Sequence, residues 1–226
     1  APPPMCPWSA SIQGLDDAVP ALVRHFQAQP KYVAPTAVSF SAAAGGAGAS
    51  ADELGAGGFG AVFRGKFRSL PHAVKRIKVA PIVSSAHDAR LAAEMIAREI
   101  EVSLALAHVS LMPLTAFAFA EQDAVVSGLG EDELSGSPEV WLIMTEAVGG
   151  TLEKPKGPWQ ERLRDVSARV DVLAKVAEAL VFMHASGVAH LDLKPPNILL
   201  GAGSEVWLAD LGLASPVRTA AGSVLP

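Results

Sequence analysis

The run "HLDLKPPNILL", residues 190–200, sets one carboxylate, one ammonium and one carboxamide into an otherwise apolar, proline-stiffened segment. Asp192, Lys194 and Asn197 lie two and three residues apart, so the run is either a solvated loop or a site, because burying unpaired polar heads is costly. A second stretch names a chemistry. "LGAGGFGAVFRG" supplies Gly55, Gly57 and Gly60 in a G-x-G-x-x-G spacing, and such glycines let backbone N–H groups approach a phosphate without a Cβ in the way. A third supplies a cation. In "HAVKRIKV" strand alternation puts Lys75 on the same face as Ala73, Ile77 and Val79. A lysine so placed either snorkels to water or is paired. Glu99, between Ile96 and Ile100 on the helix that follows, is a partner that would hold Lys75 where it can grip phosphate oxygens.

Two other phosphate-binding readings fail on the surrounding elements. A dinucleotide fold needs a helix to open after Gly60, whereas Val62 and Phe63 read as strand. "GAVFRGK", residues 60–66, has the spacing of a P-loop, but Phe67 stands where Ser or Thr must ligate magnesium.

The elements around these residues read as strands at 61–67, 72–79, 114–120 and 140–145, with helices over 86–108 and 168–184. Leu91, Met95, Ile96, Ile100 and Leu104 share a face of the first helix; Leu173, Val176, Leu180 and Met183 recur along the second. Residues 156–167 are charged and expected at the periphery. The acidic Gly/Ser stretch 121–139, with Glu121, Asp123, Glu131, Asp132, Glu133 and Glu139 and no basic residue, is expected to be a solvated loop. Strands first and helices after predict an α+β chain of two lobes meeting near 146–151. Residues 1–48 read as an Ala/Pro/Gly-rich leader that tethers, with a short helix around "LDDAVPALVRHFQ" interrupted by Pro20.

Bulk composition narrows the partners. Half of the 226 residues are apolar, the net charge is −5 and there is one cysteine, Cys6. These argue against a binder of nucleic acid driven by its overall field, a disulfide framework or a cysteine-rich zinc site, and suit a reducing, cytoplasmic setting. The most membrane-like run, 103–120, contains His108 and Pro113 and reads as a helix end followed by a strand rather than a span.

In combination these stretches resemble the eukaryotic protein kinases over residues 53–226. Gly55, Gly57, Gly60 and Val62 are similar to the Gly-rich loop over ATP, and Ala73-Val74-Lys75 to the strand bearing the phosphate-binding lysine. Glu99 stands where the family has its helix glutamate, and "LIMTEAVGGTL" resembles the hinge. "HLDLKPPN" resembles the catalytic loop H-R-D-x-K-x-x-N, and "DLG", 210–212, the D-F-G motif thirteen residues after Asn197.

The resemblance implies a two-lobed kinase fold, with leader 1–48 and a kinase domain 49–226 divided into an N-lobe of about 49–146, a hinge of about 146–151 and a C-lobe fragment 152–226. It implies ATP and Mg²⁺ as cofactors, a protein substrate and serine/threonine specificity from Lys194-Pro195. Asp192 would orient the substrate hydroxyl and take its proton, and Lys194 would steady the transferring phosphoryl group. Asn197 and Asp210 would hold magnesium. Thr145 would be the gatekeeper, Glu146 and Val148 would offer backbone groups to adenine, and Leu199 would floor its pocket with Val62 and Ala73 above. Three departures stand out: Leu191 replaces the family arginine, Leu211 replaces the phenylalanine, and the chain stops within the activation segment. The last makes the C-lobe truncated and predicts an uncovered apolar face on helix 168–184. A nucleotide-binding pseudokinase or scaffold is the alternative function.

Overall fold

The computed structural model describes residues 15–40, 52–57, 60–78, 86–120 and 138–216. It divides into two compact units, one of residues 1–97 and 114–145 and the other of 98–113 and 146–226.

In the first unit, Ala18, Ala21, Leu22 and Phe26 fall at helical spacing and are buried along α1 (Leu15–Phe26), which runs through an exposed Pro20. A 3-10 turn, Pro35–Ala37, leads to β1 (Val38–Phe40). β2 (Glu53–Gly57), β3 (Gly60–Phe67) and β4 (Leu70–Lys78) follow, then α2 (Ala86–Ala105), β5 (Leu114–Ala120) and β6 (Glu139–Met144). Arg68 and Ser69 link β3 to β4 with φ of 51° and 65°, the pair of positive angles that a two-residue hairpin needs to match strand twist.

The sheet runs β1-β3-β4-β6-β5, antiparallel throughout, with β1 and β2 end to end along the outer edge of β3. Beyond β5, Phe117 N–H donates to Lys31 O and Val33 N–H donates to Phe117 O. Residues 15–40, part of the expected leader, are therefore folded and cover both sheet edges. Five strand spacings laid flat would separate those edges by about 24 Å. The six residue steps from Tyr32 to Val38 reach at most about 20 Å, so the sheet must curl.

Both faces of β4 are packed. Ala73 and Ile77 are buried on one, and Val74 and Arg76 on the other. The second face holds Val38, Phe40, Phe67, Val74, Ala116, Ala118, Ala120, Trp141 and Ile143. Arg76 and Glu139, 4% and 1% exposed, form a bidentate pair there at 2.7 and 3.0 Å. Trp141 Nε1 donates to the same carboxylate at 2.8 Å, and the guanidinium lies 5.6 Å from the Phe40 ring and 5.0 Å from that of Phe63. Glu139 is thus a buried strand residue and not part of a solvated loop; the burial forces pairing. The rest of that stretch, 121–137, lies outside the described residues. On α2 the buried positions are Ala89, Ala92, Ala93, Ile96, Ala97, Glu99 and Ile100, and Leu91 is exposed. The small side chains define its packed face.

The second unit contains α3 (Pro158–Arg162), α4 (Val166–Ala185), β7 (Val188–Ala189), β8 (Ile198–Leu200), β9 (Val206–Leu208) and β10 (Ser215–Pro216). Asp165 caps α4 by accepting from Ser167 N–H at 3.1 Å. Val172, Val176, Ala179 and Met183 face a core with Leu111, Trp159, Ile198, Leu200, Val206, Leu208 and Leu211. Trp159 shows that the segment 156–167 is not merely peripheral. Val166, Val170, Leu173 and Val181 form an exposed apolar stripe on the other side of α4, so Leu173 belongs to the outer face and not to the core.

Candidate active site

Two short ladders position the polar trio. β8 pairs with β9, and β10 returns beside β7 with Ser215 opposite Ala189. Between them, residues 190–197 leave the ladders, with His190 and Asn197 buried, Asp192 half-buried and Lys194 exposed. Leu191, 66% exposed, takes φ of 62°, a left-handed conformation strained for a branched residue, which turns the chain between His190 and Asp192.

His190 is buried and fixes that turn. Its Nδ1 accepts from Asp192 N–H at 3.2 Å, which leaves Nε2–H to donate to Ala209 O at 3.1 Å. Both bonds require the neutral imidazole, and burial pushes its pKa below the ordinary 6.5. From sequence His190 is no more than a member of the motif; its position two residues before Asp192 is the signal that marks it.

Asp192, Lys194 and Asn197 come together. Lys194 Nζ is 2.7 Å from Asp192 Oδ2, and Asn197 Nδ2 donates to Asp192 Oδ2 and to Asp192 O, each at 2.9 Å. The bond from Lys194, then that from Asn197, holds the Asp192 carboxyl below its usual range, and Lys194 is correspondingly raised. Asp192 is therefore an anion at neutral pH, a weak base that positions a hydroxyl better than it deprotonates one.

Asn197 also tests the fit of a metal. Both partners of its amide nitrogen are acceptors, so the flip is assigned by the network and Oδ1 is turned away from them. Asn197 is buried, and among the described residues Oδ1 has no hydrogen bond, the condition of a hard oxygen donor awaiting a cation. Ala209 N–H donates to Asn197 O at 2.9 Å, which brings the neighbouring Asp210 to the same end of the ladder. Asp210 is half-buried in a left-handed conformation, φ 68° and ψ 69°, heading the 3-10 turn Leu211–Leu213. One amide oxygen and one carboxylate suit Mg²⁺, which keeps most of its shell for water and phosphate. Among the described residues no cluster of three or more His, Cys, Asp or Glu offers a metal site of another kind. Leu211 is buried in the core as an apolar plug, and a Cβ on Gly212 would stand 3.5 Å from Glu99 Oε2.

The first unit carries the other set. Val62, Lys75 and Leu142 are in register across β3, β4 and β6, and Lys75 is half-buried. Gly60 has φ of 150°, and a Cβ there would stand 2.2 Å from Arg76 O. A Cβ on Gly55 would meet nothing within 4 Å, so that glycine borders open space. Gly57 pairs with Gly60; residues 58–59 lie outside the described set. Thr145 is exposed beyond the end of β6, and it is Met144 that sits directly opposite Ala73. The strand register thus sets Met144, and not Thr145, beside Ala73.

In the second unit, Glu146 is half-buried and Val148 exposed, and Ala147 O accepts from Gly150 N–H. Leu199 is half-buried at the middle of β8.

The protein kinase domain family matches residues 49–223. The L-type lectin-domain containing receptor kinase V.2 of Arabidopsis thaliana is 31% identical over 73% of this chain and 22% of its own length. The probable serine/threonine-protein kinase kinX of Dictyostelium discoideum is 27% identical over 74% of this chain and 13% of its own. The probable LRR receptor-like serine/threonine-protein kinase IRK of Arabidopsis is 29% identical over 72% and 15%. The chain thus spans less than a quarter of these relatives. With the α+β fold, the Asp192–Lys194–Asn197 network and a family match over most of its length, this chain belongs to the eukaryotic protein kinases.

Proposed function

We propose that the chain carries out ATP- and Mg²⁺-dependent phosphoryl transfer to serine or threonine hydroxyls of protein substrates. The observation that carries this reading is Asn197, which braces the Asp192 carboxylate with its amide nitrogen while presenting an uncommitted buried oxygen. Asp192 orients the incoming hydroxyl and accepts its proton as its oxygen bonds to the γ-phosphorus and the bond from that phosphorus to the departing ADP oxygen breaks; Lys194, 2.7 Å from that carboxylate, neutralises charge on the transferring group. Asn197 and Asp210 would hold the metal, which when bound would supply charge neutralisation for the phosphates. In this reading Lys75, steadied by Glu99, and the Gly55, Gly57 and Gly60 loop orient the phosphates. Val62, Ala73 and Leu199 enclose the adenine, with backbone groups from Glu146 and Val148 and with Met144, next to Thr145, as gatekeeper. The protein's part is positioning and charge neutralisation.

A nucleotide-binding scaffold without turnover is the second reading, favoured by the exposed apolar stripe on α4. A cytoplasmic setting belongs to the proposal; no helix among the described residues is long and apolar enough to cross a membrane. Transfer of label from γ-labelled ATP to a generic serine/threonine substrate, compared between wild type and Lys75→Met, tests the proposal. Label transfer lost in Lys75→Met supports the enzyme; nucleotide binding without transfer in the wild type supports the scaffold.

A further inference from the structure

We infer that Trp159 is a positioning residue for the nucleotide site, holding the backbone on which Leu199 is carried; this rests on the kinase reading above. Leu199 lies at the middle of β8, with backbone partners on both sides. On one side it pairs with Trp207 of β9. On the other, Gly149 N–H donates to Leu200 O at 2.9 Å, Leu200 N–H to Gly150 O at 2.9 Å and Leu152 N–H to Ile198 O at 2.8 Å, with Thr151 opposite Leu199. The segment 149–152, which flanks β8 through an isolated bridge, is the direct continuation of residues 145–148, to which the proposal gives the adenine contacts. The height of the pocket floor is therefore set by how 149–152 and 198–201 are held together.

Trp159 holds them from behind. It is 3% exposed, and its indole Nε1–H donates to Gly201 O at 2.9 Å. Its ring edge lies so near Gly149 that a Cβ there would come within 2.4 Å of Cδ1 and 2.7 Å of Nε1. Arg162 completes the clamp: its guanidinium sits 4.4 Å over the indole and its Nη1 donates to Gly203 O at 3.0 Å. A tryptophan that only filled the core would rest on side chains. This one rests on the backbone of two glycines, one on the segment that flanks β8 and one at its end, so its contacts fix main-chain position. Leu199 carried a few tenths of an ångström away from a purine would lose dispersion contacts, with no loss at the phosphate-binding groups.

The test measures Kd for Mg-ATP and for adenosine on the full 226-residue chain, by titration calorimetry well below the unfolding midpoint. Trp159→Phe keeps the packed ring and removes the N–H. Gly149→Ala pushes on the same contact from the other side. Each is expected to raise both Kd values by the same five- to tenfold, up to about 1.4 kcal/mol. Val172→Ala, a core change in α4, serves as the stability control and should leave both Kd values unchanged. Equal binding by wild type and both variants overturns the inference, as does a Val172→Ala shift as large as theirs. A wild type that binds neither compound overturns the kinase reading and this inference with it. Should Trp159→Phe fail to fold, Gly149→Ala decides the question.

Discussion

Removing either partner of the Arg76–Glu139 pair should cost far more than removing both. Glu139→Leu strips the guanidinium of two charge-assisted hydrogen bonds while leaving it 4% exposed, a loss of about 3–5 kcal/mol for a buried charge without its partner. The rings of Phe40 and Phe63 stay over the cation and offset about 1–2 kcal/mol of that, so the net expectation is about 2–4 kcal/mol. Arg76→Met leaves the carboxylate with the Trp141 N–H as the remaining one of the three bonds described, and no ring can compensate an anion; about 3–5 kcal/mol is expected. In Arg76→Met/Glu139→Leu neither charge is left. Among the contacts described, the debt left is the Trp141 N–H, about 1–3 kcal/mol, against the desolvation that both ions no longer require. The double variant should therefore lie within about 2 kcal/mol of wild type, a coupling of several kcal/mol. Urea unfolding at neutral pH, with m-values compared across the four proteins, reads this out. Single variants costing under 1 kcal/mol each, or an additive double variant, would refute the argument and reduce the pair to an ordinary surface bridge.

Three further outcomes follow from the site. Asp192→Asn should leave Mg-ATP binding nearly intact and lower the transfer rate about a hundredfold or more, whereas Asp210→Ala should weaken magnesium-dependent nucleotide binding; indistinguishable variants in a binding titration would undo that division of roles. Phosphate placed on the segment after Asp210 should change the rate by less than about tenfold, or about 1.4 kcal/mol, because the exposed, uncharged Leu191 cannot grip it; phosphatase-treated and untreated enzyme, with Leu191→Arg alongside, provide the comparison. For His190 the folded state disfavours the proton, so its contribution to stability is complete above the ordinary pKa of 6.5 and is lost as pH falls through the depressed one. Denaturation midpoints between pH 7.5 and 5 should therefore fall more steeply for wild type than for His190→Phe, by at most about 1.4 kcal/mol per pH unit.

The meeting of the polar trio in residues 190–197 was legible because its members are close in sequence. Asp192, Lys194 and Asn197 need only one turn to meet, and their types leave few ways to satisfy one another. The strands were legible from alternation, to within a residue or two of β3, β4, β5 and β6. What stayed hidden depends on long-range pairing. Glu139 reads as one more acid at the end of an acidic stretch, and only the β4–β6 register shows it beneath Arg76. Thr145 and Met144 differ by one position, and strand pairing, not the motif, decides which faces Ala73. Trp159 sits among charges that conceal it, because its partners are glycine backbones 10 and 42 residues away. The N-terminal segment was obscured by composition: its prolines and alanines are those of a linker, yet Phe26, Val38 and Phe40 supply the apolar weight that docks it.

The closure of the sheet by that segment has a consequence for assembly on the ribosome. Tyr32 must wait for Phe117, 85 residues later, and β5 in turn for β6, before the bridge that seals this edge can form. The β3–β4 hairpin can form locally at once, but the edge beyond β5 is sealed by residues made long before. During that interval the apolar face of α1, whose Phe26 packs on Phe117 and Phe119, is held in waiting, and the protection that this strap gives the finished sheet is absent when the growing chain most needs it. Folding of the first unit should thus end, and not begin, with its own N-terminus.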